Sequence, residues 1–142
     1  MTIEVVPDPV ATLRAVLIPR AVGTDLEGLP IRSKREEGDA PPFLVAREAG
    51  DLHHRSVGAL LPARVNLSVV ALDEDQAAAL WRLASALLHR LGPLIVAVDG
   101  ADVGVWRIHD ETGLQQPVQE PDTLWWRAFG VFDLTMADRA IG

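Results

Sequence analysis

The sequence contains no cysteine. Disulfide staples and thiolate metal sites are therefore excluded, and a reducing or redox-indifferent setting fits. Long apolar runs are missing too. The stretch Leu94 to Val98 is broken by Asp99, and nothing approaches the roughly 20 apolar residues of a membrane span. The stretch Met1 to Asp8 has neither a basic lead nor an apolar core of signal-peptide length. The expectation is a soluble chain, with no membrane partner, that stays where it is made. Clustered positive charge is also scarce. The formal net charge is −7, and the only dense basic group, Arg32, Lys34 and Arg35, is followed at once by Glu36 and Glu37. Proteins that grip phosphates carry a basic face, so scattered basic residues argue against direct nucleic-acid binding.

Catalytic signatures are missing as well. The chain has no GxSxG turn, no glycine-rich phosphate loop, no HExxH and no EF-hand ligand string. Of the four histidines, adjacent His53 and His54 cannot face the same way on a regular element, and His89 falls at a helix end, where the dipole favours a cation. A metal site needs three or four converging ligands, and this spacing gives no sign of one. Ser56 and Ser85 are the serines nearest to histidines. Neither sits on a nucleophile turn, and within the run Arg64 to Leu91 neither Ser85 nor His89 has a visible partner. Asp73, Glu74 and Asp75 are explained by helix capping, and Asp99 and Asp102 by a tight turn. No catalytic residue, metal ligand or cofactor is assigned.

What is present is an ordinary globular balance: 49% apolar and 23% charged residues in 142, enough to bury a core without a staple. One domain, 1–142, is expected. Asp8-Pro9 is a helix-start signal, with Val10, Leu13, Val16 and Leu17 at helical spacing and Pro19 as a stop, so a helix is predicted over Pro9 to Ile18. Ala21 to Pro42 reads as a long loop with a short strand near Leu29 to Ser33. Phe43 to Arg47 reads as a strand and Asp51 to Pro62 as a second loop. Val65, Leu67 and Val69 alternate with Arg64, Asn66 and Ser68, the pattern of a half-buried strand. Asp73 caps the next helix with Gln76 in a capping box. Its stripe is Ala77, Leu80, Trp81, Ala84, Leu87, Leu88 and Leu91, and Gly92-Pro93 ends it. Then come Leu94 to Val98, an Asp99-Gly100 turn, a strand over Val103 to Ile108, a loop over Asp110 to Asp122, and a long final element. In that element Leu124, Trp126, Ala128, Phe132, Leu134 and Met136 share one face. Gly130 marks a bulge or a close backbone approach. The order predicts an α+β domain, an antiparallel or mixed sheet with two helices on one face.

Trp125 and Trp126 must point to opposite faces, so one enters the core and the other leaves it. The outward one either lies under a loop or anchors a subunit contact. Candidate subunit or partner contacts are His53, His54 and Arg55 in the second loop, and Trp125, Arg127 and Phe129 in the final element.

Three stretches carry a family likeness: Pro42-Phe43-Leu44-Val45-Ala46-Arg47-Glu48-Ala49-Gly50; Arg64-Val65-Asn66-Leu67-Ser68-Val69-Val70-Ala71-Leu72-Asp73 through Leu91; and Pro121-Asp122-Thr123 with Trp126-Arg127-Ala128-Phe129-Gly130-Val131-Phe132-Asp133-Leu134-Thr135. In these the chain resembles the tail terminator proteins of long-tailed bacteriophages, above all those of actinobacterial phages. The resemblance implies a structural virion protein, assembled in the host cytoplasm. It would form a homo-oligomeric ring, usually a hexamer, on the head-proximal end of the tail tube. It would stop tube polymerisation and present the head–tail joining surface. Its implied partners are the tail tube protein and a connector or stopper. DNA would pass through the lumen without specific binding, and a negative lumen would repel it. The loop Asp51 to Pro62 is longer than the family pattern and is a candidate ring or tube contact. Three alternatives stay open: another head–tail connector such as a stopper or neck protein; a small bacterial ligand-binding or regulatory α+β module, which would need a concave apolar pocket with convergent polar groups; and, with no motif to support it, an enzyme of unfamiliar type.

Overall fold

The computed structural model describes residues 3–5, 7–49, 60–113, 116–137 and 139–141. The elements follow in the order β1 (Ile3–Val5), α1 (Pro9–Arg20), β2 (Ile31–Arg32), β3 (Phe43–Glu48), β4 (Leu60–Ala71), α2 (Glu74–Leu88), β5 (Leu94–Val98), β6 (Ala101–Asp110), β7 (Val118–Gln119), β8 (Trp126–Ala137) and β9 (Arg139–Ile141). The main sheet runs β2-β3-β4-β8-β6-β5, antiparallel except for the short parallel β2–β3 pair. Strand β7 pairs with β8 at Trp126 and Arg127, on the side that β6 takes further along. A separate antiparallel pair joins β1 to β9. The chain is a single α+β domain with two helices packed against a curled mixed sheet, as its pattern predicts.

Strands β4 and β8 are the spine, paired over twelve residues from Leu60↔Ala137 to Ala71↔Trp126. On the helix side stand Ala63, Val65, Leu67 and Val69, opposite Leu134, Phe132, Gly130 and Ala128, all buried. Helix α2 lies over them. Its cap forms as expected: Gln76 N–H donates to Asp73 Oδ1 at 2.7 Å, and Leu72 N–H donates to Gln76 Oε1 at 3.2 Å. Trp81 is the largest buried side chain. It stacks on Phe132 at 5.7 Å and donates its indole N–H to the Leu67 carbonyl at 3.3 Å. Gly130 makes that seat possible, because a Cβ there would lie 2.4 Å from Trp81 Cζ2. Of the two roles expected for Gly130, the close approach is the one it has.

Several boundaries move. Helix α1 starts at its Asp8 cap, which accepts from Val10 N–H at 3.0 Å, but it runs through Pro19 to Arg20. A proline in the last turn leaves the downstream bonds intact, and Ala21 N–H still reaches Leu17 O at 2.9 Å. Helix α2 stops at Leu88, before Gly92-Pro93. Arg90 turns into the left-handed region (φ 62°). Its N–H bonds Ile108 O, and Ile108 N–H returns to Leu91 O, both at 2.9 Å. Leu91 is thus drawn into a bridge beside β6 and leaves the helical stripe. Strand β4 takes in Leu60 to Pro62, which reads as loop in sequence, and the polar 110–122 loop holds β7. Leu124 is exposed at φ 61°, outside the final strand.

Adding one methyl at the Trp81 seat tests this packing. Gly130→Ala is expected to lower unfolding free energy by about 1–3 kcal/mol, an overpacking cost, and Trp81→Ala by about 3–5 kcal/mol. Urea titrations followed by far-ultraviolet circular dichroism check both, and a neutral Gly130→Ala would refute the close-contact reading.

Candidate functional site

Both helices pack on one face of the sheet, and the opposite face is built mainly by alternate residues of β3, β4, β6 and β8. Cross-strand register sets its rows: Arg47 beside Asn66 and Val131, Val45 beside Ser68 and Phe129, and Phe43 beside Val70 and Arg127. Farther along, Arg64 stands opposite Asp133, which pairs in turn with His109, while Arg107 lies opposite Thr135. Two open depressions mark this face. One, of about 540 Å³, is lined by Arg64, Arg107, His109 and Asp133. The other, of about 680 Å³, is lined by Lys34, Arg35, Arg47, Asn66, Ser68, Glu120, Arg127 and Phe129.

Charge is segregated here. Among the described residues, Lys34, Arg35, Arg47, Arg64, Arg107 and Arg127 gather around these depressions with Glu111, Glu120 and Asp133, and Asp102 lies farther out on the same side of β6. The chain as a whole carries −7, so the remaining surface is more acidic than the average suggests. The basic residues that look scattered in sequence are brought together by strand register. Period-two alternation placed Arg64 and Arg127 outward, but the lateral order of the strands was needed to see them as one surface.

Two ion-pair groups organise the face. Arg35 grips Glu120 with both terminal nitrogens, one at 2.7 Å to Oε1, and its guanidinium stands 5.7 Å from the Phe43 ring centroid. This clamp ties the long 21–42 segment to the turn before β8. The Arg35 hydrogen bonds hold the Glu120 carboxyl below the usual carboxylate range. At the other end Arg64 pairs with Glu111, and with Asp133 at 3.4 Å. Burial pushes Glu111 up, helped by the hydrogen bond its protonated carboxyl donates to the neighbouring Asp133 carboxylate and by that group's charge, while Arg64 and His109 pull it back. Lys34, Arg47, Arg107 and Arg127 have no carboxylate in ion-pair range among the described residues. Arg127 lies over Phe129 at 5.2 Å, with its Nε buried and lacking a hydrogen-bond partner. Unspent buried donors of this kind are uncommon in folded chains.

The candidate contacts divide. Arg127 and Phe129 meet on the bare face. Trp125 is half-buried against a second small core of Phe43, Val45 and Val70, edge-on to Phe43 at 6.1 Å, so its ring is occupied within its own chain. Trp126 packs on the main core. His53, His54 and Arg55 lie outside the described residues. Sequence reasoning missed Lys34, Arg35, Arg47, Arg64 and Arg107 as members of one surface.

Ser85 and His89 do have partners, contrary to expectation. Ser85 Oγ donates to Asp110 Oδ2 at 2.7 Å, and His89 Nδ1 accepts from the Asp110 backbone N–H at 2.9 Å. The other Asp110 oxygen accepts from Gly113 N–H at 2.8 Å. The serine donates to the carboxylate and the histidine takes a backbone proton, so no base faces the hydroxyl. Asp110 thus clamps the end of α2 to the loop after β6. Among the described residues no group of three or more His, Asp or Glu could hold a metal, and no helix is long and apolar enough to cross a membrane. A smaller depression of about 220 Å³, lined by aliphatic and glycine residues such as Leu17, Ile18, Leu26 and Leu44, has no polar side chain to orient a ligand. No family model and no curated protein matches the chain.

The two carboxylates have opposite pH signatures. Glu120, depressed in the fold, adds stability that is present above its unfolded pKa of about 4.5 and lost as pH falls through its folded value. Glu111, raised in the fold, adds stability that is present below that pKa and lost as pH rises through its folded value. Unfolding free energies between pH 3 and 7 check this. Glu120→Gln should narrow its deficit from wild type as pH falls, and Glu111→Gln should improve relative to wild type as pH rises.

Proposed function

We propose that this domain is a structural assembly module that builds a ring of identical copies, the basic sheet face of one copy meeting the acidic surface of the next. The observation that carries the reading is charge segregation: a basic sheet face with no helix over it among the described residues, on a chain of net charge −7. A surface rich in Arg with an aromatic at its centre has the composition of an interface, and opposite patches on one molecule favour head-to-tail contact, which closes a ring when the rotation allows. Thr135 and Ser68 line the depressions, but among the described residues neither hydroxyl hydrogen-bonds a histidine or carboxylate, and neither depression is an enclosed apolar pocket, so assembly accounts for this face better than catalysis or small-ligand binding.

Within that class, the likeness of the β3, β4–α2 and β8 stretches to phage tail terminators supports a specific role. The ring would cap the head-proximal end of a tail tube, end its polymerisation and receive the connector or stopper. A DNA channel that repels phosphate then requires the basic face to be turned into subunit contacts, away from the lumen. A stopper or another neck protein would share all of these features, and position in the assembled tail distinguishes them.

Light scattering with and without polymerising tail tube protein tests the proposal. A ring on tube ends and shorter tubes in electron micrographs are expected, with assembly weakening as salt rises. Arg47→Glu with Arg127→Glu should weaken assembly at least tenfold while leaving the circular dichroism spectrum unchanged. A strict monomer with no effect on tube length overturns the reading, and salt-sensitive binding of a duplex oligonucleotide through the same arginines would replace it with a nucleic-acid function.

A further inference from the structure

We propose that strand β5 is a self-association edge, through which two copies of this chain pair antiparallel about a two-fold axis at Val96 and join their sheets into one. This goes beyond the ring and does not depend on it, since none of the basic-face residues takes part.

Strand β5 ends the main sheet. Its turn to β6 has two residues, Asp99 (φ 50°) and Gly100 (φ 78°), and closes on the pair Val98↔Ala101. Two successive positive φ values are those of a type I′ hairpin, whose flanking pair is hydrogen-bonded. Hydrogen-bonded and non-bonded pairs then alternate along the ladder. Val98, Val96 and Leu94 therefore direct their backbone groups to β6, and Ile95 and Ala97 direct theirs outward. Among the described residues no backbone bond from 94–98 reaches that outer side.

Helix α1 packs against β5, and no strand pairs with its outer edge among the described residues. Leu94 and Val96 pack against the main core, and Val98 is buried, so the strand is backed along its length. Ile95 is 73% exposed, and Ala97 is exposed beside it. Natural edges are blunted by charge, proline, bulges or short length. The opposite edge, β2, follows that rule: it has two residues, one of them Arg32, with Lys34 close behind. Strand β5 reads Leu-Ile-Val-Ala-Val, with no charge and no proline inside it.

A second copy fits this edge because the strand is complementary to itself. A two-fold axis at Val96 sets Ile95 opposite Ala97 of the second copy and Ala97 opposite its Ile95. Both are positions with outward backbone groups, so each pair exchanges two hydrogen bonds. A large side chain then faces a small one in each pair, and no like charges meet. Val96 meets Val96 as the non-bonded pair, where side chains come closest.

Sedimentation equilibrium of the full chain and cysteine cross-linking test the inference. Wild type should show a concentration-dependent dimer. Ile95→Lys should raise its dissociation constant at least tenfold. Ala97→Pro should do the same by removing an outward N–H while sparing the β5–β6 ladder. Because the chain has no other cysteine, oxidised Val96→Cys should give a disulfide dimer on a non-reducing gel, and Leu72→Cys, at an exposed position outside β5, should not. The proposal is overturned by a wild-type monomer at all concentrations, by association that survives both edge variants, or by an oligomer in which Val96→Cys fails to cross-link. Loss of ring formation in Arg47→Glu with Arg127→Glu, with the Val96→Cys cross-link retained, would separate this contact from the basic face.

Discussion

The seat of Trp81 on Gly130 is the contact on which the rest of the structure depends. An indole buries roughly 150–250 Å², which at about 25 cal/mol per Å² is about 4–6 kcal/mol of gross stabilisation. It can do so here because β8 offers backbone where a side chain would collide. The same ring satisfies its N–H on β4 and stacks on Phe132 of β8. One side chain thereby fixes α2 across the two longest strands and sets which face of each is inside. Once Val65, Leu67 and Phe132 face the helix, the period of two leaves Arg64, Asn66 and Asp133 no choice but the other face.

That other face is where the chain departs from a two-sided α/β layer. Both helices are spent on one side, and among the described residues the remaining covering material is the 21–42 segment and the turn at 120–124. Arg35, bonded to Glu120 and set over Phe43, folds these against one end of the face, where Trp125 closes a small second core. Over the rest, no described residue forms a further layer. The pleat fixes the backbone positions of Arg47, Arg64, Arg107 and Arg127, while ordering their long side chains is a cost that any partner would have to meet.

Much of this was legible in the sequence, and the misses share a cause. The Asp73 cap, the alternation at Arg64 to Val69 and the Asp99-Gly100 turn are set by neighbours in the chain, and each formed where expected. What failed depended on residues far away. Leu91 continues the apolar period of α2, but a bridge to Ile108 captures it. Ser85 and His89 appear unpartnered until Asp110 arrives from β6. The basic face failed in the same way: Arg47, Arg64, Arg107 and Arg127 are far apart in sequence and converge only through the order β3-β4-β8-β6. Gly130 was the informative exception, since a glycine inside an alternating strand announces a close approach without naming the partner.

The two proposed association surfaces obey different physics, and that difference bears on how an assembly would be controlled. The basic face draws on Coulomb attraction between exposed groups, which fades over a Debye length of about 8 Å at physiological salt. It is therefore fast to find a partner and reversible. The β5 edge draws on backbone hydrogen bonds and a short apolar strip, which salt screens little. Net charge of −7 opposes any approach of two copies, but it opposes the edge more, because the edge has no positive charge of its own to offset it. Ionic strength thus acts on the two contacts with opposite sign. On the two proposals, low salt would favour the face and disfavour the edge, and high salt would do the reverse, which would give one chain two modes of self-association without any change in its fold.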